Sequence, residues 1–458
     1  MHFPPAFLSS LKGIEGFHLP SFEEIHQSGE QVTSIRLNPA KLNGPSALQF
    51  YHDINGSIPW CEQGYYLNNR PSFTFDPLFH SGCYYVQEAS SMFLEQALKQ
   101  TVNLNQPIKV LDLCAAPGGK STHLQSMVTA DSLLVSNEII QTRVNILTDN
   151  IMRWGASNTI VTRNDPSHFS RLNGFFDVIV VDAPCSGSGL FRRDNDAMNE
   201  WSLSNVELCC QRQQKILKDV WPALKEGGVL IYSTCSYSKE ENEEIMDWLM
   251  DSFPVENMII QIPAGVDIIQ TFSSINNAAG YRFYPDKIQG EGFFISCFQK
   301  LEGNGYHQSK KPRKLEMARQ DDQEVLQSWI TEKDMVFLPF FDKVTAIPGN
   351  LVNDYAMISS IMNIRYAGVL MGELIRGKLV PHHSLALSLI VADNINRIHL
   401  DREDAIRYLQ RKNLKIDLEY KGWQLASYND HNIGWVNVLP NRINNYYPKE
   451  LRILKEFE

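Results

Sequence analysis

Long hydrophobic runs are missing from this chain: no apolar stretch approaches the roughly 18 residues that a membrane-spanning helix needs. Paired cysteines are missing too. The eight cysteines are scattered, none in a CxxC pair and only Cys209 and Cys210 adjacent. That excludes a zinc ribbon or a disulfide framework, suggests no metal site, and fits a reducing compartment. No low-complexity tract is present. The amino terminus, MHFPPAFLSSLKGIEGF, lacks a basic segment followed by an apolar stretch, so no secretory signal is expected. Excess positive charge is absent as well: 42 Lys and Arg stand against 52 Asp and Glu, for a net charge of −10. The global field therefore repels phosphate, and any polyanion must be held by local patches. The acidity is regional, with 5 basic against 9 acidic residues in 1–100, 16 against 23 in 101–300, and 21 against 20 in 301–458. A cytoplasmic protein without a membrane partner is expected.

What is present is the composition of a globular protein, 43% hydrophobic and 21% charged. At 458 residues it is too long for one ordinary core. Residues 1–104 mix short helical and strand patterns, with VQEASSMFLEQAL (86–98) reading as a helix. From 105 to 300 the rhythm is strand then helix. The strands are KVLDLC (109–114), SLLVSN (132–137), NTIVTR (158–163), DVIVVD (177–182) and GVLIYS (228–233), with GFFISCF (292–298) expected at an edge. This alternation predicts an α/β fold, a doubly wound and mostly parallel sheet that binds ligands at the carboxyl ends of its strands. Residues 301–324 read as a linker carrying a basic cluster, Lys310, Lys311, Arg313 and Lys314. Residues 325–415 read as helical and mixed, and 416–458 as a β-rich end with two aromatic strands around the turn NDHN.

Two strands end in a thiol. VDAPCSGSG (181–189) presents Asp182 and Cys185, and STCSYS (233–238) presents Cys235. A third strand opens VLDLCAAPGGKSTHL (110–124), a Gly-rich turn leading into a helix. A phosphate-binding loop of the G-x-x-x-x-G-K-[ST] type would need glycine where Cys114 stands, and a dinucleotide fingerprint would need a third glycine. The remaining reading is S-adenosylmethionine. Glu138 after the second strand is placed to accept both ribose hydroxyls, and Asp165 after the third to accept from the adenine amino group. Acids at strand ends also serve as helix N-caps, so each is a weak signal alone.

DLCAAPGGK, DAPCSGSG and STCSYS, in that order on strand ends, resemble the RNA cytosine-5 methyltransferases of the NOL/NSUN/Sun group. TSIRLNP (33–39), GCYYVQEASSM (82–92), YAGVLMGELIRGKLVPHHSLAL (366–387) and the GW-containing tail extend the likeness over nearly the whole chain. The resemblance implies a Rossmann-like methyltransferase core, an N-terminal α+β extension that binds RNA, and a PUA-like terminal domain. It implies S-adenosylmethionine as cofactor, RNA as partner (ribosomal RNA of the small subunit above all), and a monomer. For the cofactor it implies the loop Cys114, Ala115, Ala116, Pro117, Gly118, Gly119 and Lys120, with Arg143 and Asp182 besides the two acids already placed.

Carbon 5 of cytosine is a poor nucleophile until a thiolate adds to carbon 6, so the chemistry asks for an attacking cysteine and a second group to assist release. The residues alone leave open which thiol attacks. The resemblance assigns attack to Cys235 and release to Cys185, with Asp182 on the base or the cofactor and Lys120 stabilising charge on the ring. Cys61, Cys83, Cys209, Cys210 and Cys297 read as core. Arg192 and Arg193 are expected to grip phosphates beside a flipped nucleotide. Tyr281, Arg282, Phe283 and Tyr284 either line the RNA path or pack. Trp423, Trp435, Tyr446 and Tyr447 could stack on bases but read as core. The region from about 325 onward is expected to dock RNA rather than do chemistry. A transfer-RNA methyltransferase of the same group, or an RNA-binding assembly factor without turnover, are the rival readings.

Overall fold

The computed structural model describes residues 3–303, 314–414 and 420–457. Lys310, Lys311 and Arg313 of the basic cluster lie outside them; Lys314 is exposed.

A ten-stranded mixed sheet dominates the described residues. Its strands are β1 (Lys109–Asp112), β2 (Leu133–Asn137), β3 (Thr159–Thr162), β4 (Phe176–Asp182), β5 (Leu224–Thr234), β6 (Val255–Met258), β7 (Ile269–Phe272), β8 (Ala279–Phe283), β9 (Phe293–Lys300) and β10 (Ile364–Ala367). The order is β7-β8-β9-β5-β4-β1-β2-β3-β10, with β6 also paired to β9. Strands β1 to β5 are mutually parallel, as the strand–helix rhythm predicts. The other five pair antiparallel with their neighbours, so the sheet is mixed. The loops among β7, β8 and β9 are too short for the crossover helix that parallel pairing requires. For the same reason β9 is not the expected edge: β8 and β7 lie outside it.

Alternate residues of β4 feed different cores. Ile179 and Val181 face a cluster containing Ile216 and Leu217, while Val178 and Val180 face one containing Leu98 and Leu124. Both faces are covered, which is why the strand reads as an unbroken apolar run. The helices that cover the sheet include α1 (Gly119–Met127), α2 (Gln141–Trp154), α3 (Leu203–Val220) and α4 (Glu243–Ser252).

Before the sheet, a four-stranded antiparallel unit is ordered Ile54–Ser57, Gly64–Leu67, Thr33–Leu37, Tyr84–Val86. The segment expected as a helix over 86–98 instead ends that last strand, makes a 3-10 turn at Ser90–Phe93, and becomes helical only over Leu94–Thr101. After the large sheet come the strands Met335–Phe340, Lys343–Pro348, Val369–Ile375 and Lys378–Pro381, a second antiparallel sheet in a stretch read as helical and mixed. The aromatic strands around NDHN form the hairpin Gly422–Tyr428 and His431–Leu439. Trp435 and Tyr447 are buried and build core, whereas Trp423 is half-buried and Tyr446 exposed, their rings packed edge to face.

The C-terminal third is packed into the large sheet and its core. Strand β10 covers the β3 edge, and Tyr355 and Ile358 join the large core. One lysine ties all three parts of the chain. Lys41 Nζ donates to the carbonyls of Ser81 (2.6 Å), Arg153 (2.8 Å) and Leu387 (2.8 Å). Asn38 Nδ2 donates to Gly82 and Trp154, so both side chains cap the end of α2. Gly155 ends that helix at φ +93°, and a Cβ there would meet the Leu387 carbonyl at 2.5 Å.

Lys41→Met should leave three carbonyls without their donor and lower stability by about 3 kcal/mol. Urea unfolding followed by fluorescence measures this; a midpoint equal to that of the wild type would show that other donors take over.

Candidate active site

Strands β4 and β5 are parallel neighbours in register, Asp182 opposite Ser233. Their loops therefore leave the sheet side by side, and Cys185 Sγ lies 3.1 Å from Cys235 Sγ. Both thiols are half-buried. The Cys185 thiol is pushed well up by its hydrogen bond to Cys235, then by burial and the charge of Glu241. Asp182 Oδ1 accepts from Ser233 Oγ at 2.8 Å, and its Oδ2 pairs with Lys120 Nζ at 2.7 Å. Burial opposes the Lys120 charge, but Asp182 outweighs it and holds the ammonium above its usual range. That cation also interacts electrostatically with Cys235.

Two cavities meet at these residues. One, of about 550 Å³, is lined by Cys114, Ala116, Glu138, Arg143, Asp165 and Cys185 among others. The second, of about 320 Å³, is lined by Ala115, Pro117, Gly119, Lys120, Phe293 and the N-terminal Tyr85 among others. Cys114, Ala116, Asp182, Leu190 and Cys235 border both. The loop 114–120 is thus the partition, and Cys235 sits where the two spaces join. Gly118 lines neither. At φ +114° it starts α1, and a Cβ there would press on Leu147 and Asn150 of α2 at 3.3 Å.

The larger cavity suits an adenosyl group. Glu138 is buried at the end of β2, its Oε1 accepting from the Ile140 amide at 2.9 Å and its Oε2 lying 3.4 Å from Arg143 Nη1. A carboxylate has about four lone-pair sites, so acceptor capacity toward a diol remains. Arg143 Nη2 also donates to the Ala116 carbonyl at 2.7 Å, linking the acid to the loop. Asp165 caps the 3-10 turn that follows it: Ser167 Oγ and the Ser167 amide donate to its Oδ1, holding the carboxyl below its usual range. It remains on the cavity wall.

Several expected residues lie elsewhere. Arg192 is buried, with Nη2 donating to Glu30 O at 2.6 Å, and is unavailable to phosphate; Arg193 is exposed and lines the second cavity. Tyr281, Arg282, Phe283 and Tyr284 are all buried, and Arg282 Nε donates to Glu243 at 2.7 Å, so this run packs. Of the five cysteines read as core, Cys61, Cys83, Cys209 and Cys297 are buried and Cys210 half-buried. Cys61, Glu95 and His123 form the one metal-type cluster among the described residues. His123 Nε2 and Lys99 Nζ already engage the Glu95 carboxylate at 3.1 and 2.8 Å, so hydrogen bonding accounts for the group.

GCYYVQEASSM supplies Tyr85, Gln87 and Glu88 to the wall of the second cavity opposite the partition. Arg36 of TSIRLNP fastens that wall to the partition: Nε donates to Gln87 at 2.9 Å and Nη2 to Thr122 at 2.7 Å.

Three family models match the chain: 16S rRNA methyltransferase RsmB/F over residues 99–299, the N-terminal domain of 16S rRNA methyltransferase RsmF over 3–89, and the methyltransferase RsmF PUA domain over 395–453. Among curated proteins, the chain is similar to ribosomal RNA small subunit methyltransferase F of Escherichia coli O9:H4 (strain HS), 27% identical over 98% of this chain and 97% of that one. The same-named protein of Shigella boydii serotype 18 is 28% identical over the same shares. Among solved structures, a methyltransferase homolog protein from Pyrococcus horikoshii superposes with a TM-score of 0.53 at 27% identity, covering 65% of this chain and 100% of that one.

Behind the partition, Asp112 is fully buried; Ser121 Oγ donates to its Oδ2 at 2.6 Å, while Oδ1 has no partner. Burial pushes its pKa up to about 7 against the pull of Ser121 and Lys120. A carboxyl raised in the folded state costs nothing below its unfolded value near about 4 and costs fully above the folded one. This group therefore erodes stability as pH climbs from about 4 to about 7. Asp112→Asn should gain on the wild type across that window, by on the order of a few kcal/mol. Urea midpoints at the two ends measure it, and a difference that stays constant with pH would show that Asp112 does not titrate there.

Proposed function

The chain belongs to the RsmB/F family of 16S rRNA methyltransferases, and from that premise we propose that it methylates carbon 5 of a cytidine in small-subunit ribosomal RNA through a covalent bond from Cys235 to carbon 6. The observation that carries this reading is the pair of thiols 3.1 Å apart where the two cavities join. A simple binding protein has no use for such a pair beside an ammonium. S-adenosylmethionine, the cofactor, supplies an electrophilic methyl group when bound. Glu138, Arg143, Asp165 and, from the loop 114–120, Cys114 and Ala116 would hold it in the larger cavity.

The target base would enter from the other cavity, past Tyr85 and Phe293, after leaving its stack. The Cys235 sulfur adds to carbon 6 and shifts electron density onto carbon 5. Lys120 and Asp182, paired at 2.7 Å, stand beside the ring as donor and acceptor. After carbon 5 is methylated its proton must leave, and the sulfur–carbon 6 bond breaks to restore the ring. Cys185, within hydrogen-bonding distance of Cys235 and lining the larger cavity, assists that release. The substrate is ribosomal RNA rather than transfer RNA because the likeness to the small-subunit enzymes runs through all three parts of the chain.

Cys235→Ala should abolish methylation and form no adduct. Cys185→Ala should still attack and transfer methyl but stall before elimination, leaving a methyl-labelled protein–RNA complex that survives denaturing electrophoresis. The opposite pattern would exchange the roles, and unchanged turnover in both would dismiss the mechanism. Glu138→Ala should weaken S-adenosylmethionine binding by about 1.5–3 kcal/mol, the contribution of hydrogen bonds to a charged acceptor; unaltered calorimetric affinity would remove Glu138 from the site.

A further inference from the structure

Glu241, in the 3-10 turn Lys239–Glu241 just beyond the Cys235 loop, is fully buried and receives four hydrogen bonds. Its Oε1 accepts from the Ser186 amide at 2.8 Å and from Gln213 Nε2 at 3.1 Å. Its Oε2 accepts from Ser186 Oγ and Ser236 Oγ, both at 2.5 Å. Ser186 follows Cys185, and Ser236 follows Cys235. A single carboxylate thus grips the residue next to each thiol.

The surrounding bonds complete the frame. Gln213, on α3, shares the same amide nitrogen with the Pro184 carbonyl at 3.1 Å, so both neighbours of Cys185 are fixed. Asn242 does the same for Cys235: its Nδ2 donates to the Ser236 carbonyl at 2.8 Å, and its Oδ1 accepts from Thr234 Oγ1 at 2.6 Å. The Gly189 amide then donates to the Cys235 carbonyl at 2.8 Å, joining the loops a second time. Glu241 lines neither cavity and touches neither ligand space. Burying a carboxylate is costly, and an apolar residue would fill the volume more cheaply. What the charge adds is direction: four donors from three segments converge on two oxygens, which fixes the loops relative to each other.

We infer that Glu241 is a positioning residue that sets the separation of Cys185 and Cys235, so that the second thiol can act on the adduct formed by the first. This rests on the covalent reading given above. It goes beyond that reading in assigning the spacing of the thiols to a residue outside both cavities.

The test compares Glu241→Gln and Ser186→Ala/Ser236→Ala with the wild type at a temperature well below every melting transition. The glutamine keeps the shape but replaces one acceptor oxygen with a donor; the serine pair removes the hydroxyls and leaves the carboxylate. S-adenosylmethionine affinity by calorimetry should stay within twofold in both, while kcat falls at least tenfold. The readout specific to spacing is thiol coupling by diamide. The sulfur–sulfur bond forms, both thiol protons and two electrons pass to the azo bond, and a hydrazine leaves. Mass spectrometry of the peptide linking Cys185 to Cys235 should show that coupling slows at least tenfold in both variants. Coupling at the wild-type rate, or kcat unchanged, would overturn the inference. So would a loss of cofactor affinity equal to the loss in kcat, which would mean general loosening. Cys185→Ala measured in parallel separates the two claims: if it accumulates the labelled adduct while the Glu241 variants turn over normally, the covalent reading stands and the positioning role falls.

Discussion

The register between β4 and β5 is the constraint on which the site depends. Parallel neighbours deliver their carboxyl ends at the same level, and with Asp182 opposite Ser233 the next residues of both strands leave the sheet together. Two thiols separated by 50 positions in sequence come within 3.1 Å because of that pairing. A slip of one residue would turn Asp182 to the opposite face and break its bonds to Ser233 and Lys120. The burial of alternate β4 residues in two different cores resists such a slip.

Around this centre the three parts of the chain are fastened at one helix end. The carboxyl terminus of α2 needs donors, and Asn38 and Lys41 supply them from the N-terminal part. Lys41 reaches on to Leu387, so the same capping chemistry collects the C-terminal part. Burial pushes the Lys41 ammonium down to about 8, against the neighbouring Cys83 charge, which is the cost of using a cation as a three-way joint. Strand β10 adds a second fastening by covering an edge that would otherwise expose unpaired backbone groups. The C-terminal part of the chain is therefore built into the same packed body as the large sheet.

Buried charges recur with a common purpose. Arg36 joins the N-terminal wall to the partition and α1, Arg282 is paired with Glu243, and Glu241 gathers the loops after β4 and β5. In each case a side chain with several directional bonds spans segments that are distant in sequence. Arg192 belongs with them, and its position beside a glycine turn was misleading because chain neighbours do not reveal which carbonyls a guanidinium will meet.

The parallel half of the sheet was legible because a strand buried on both faces must be apolar and β-branched along its length, whatever its partners. So were the strand-end residues, since turn chemistry and the order of DLCAAPGGK, DAPCSGSG and STCSYS mark where ligands gather. The antiparallel strands beyond β5 and the arrival of β10 from a remote segment were not, because pairing partners depend on loop length and on contacts that no local pattern encodes. Asp165 illustrates the boundary: its place after a strand and its capping potential are local, whereas its place on the cavity wall is set by the tertiary structure. By itself the sequence determined the chemistry available, two thiols, a cation and three acids on strand ends. Only the tertiary structure decided their distances, which neighbour holds each, and which arginines are spent on holding the fold, because those follow from long-range packing and the convergence of buried donors on a few acceptors.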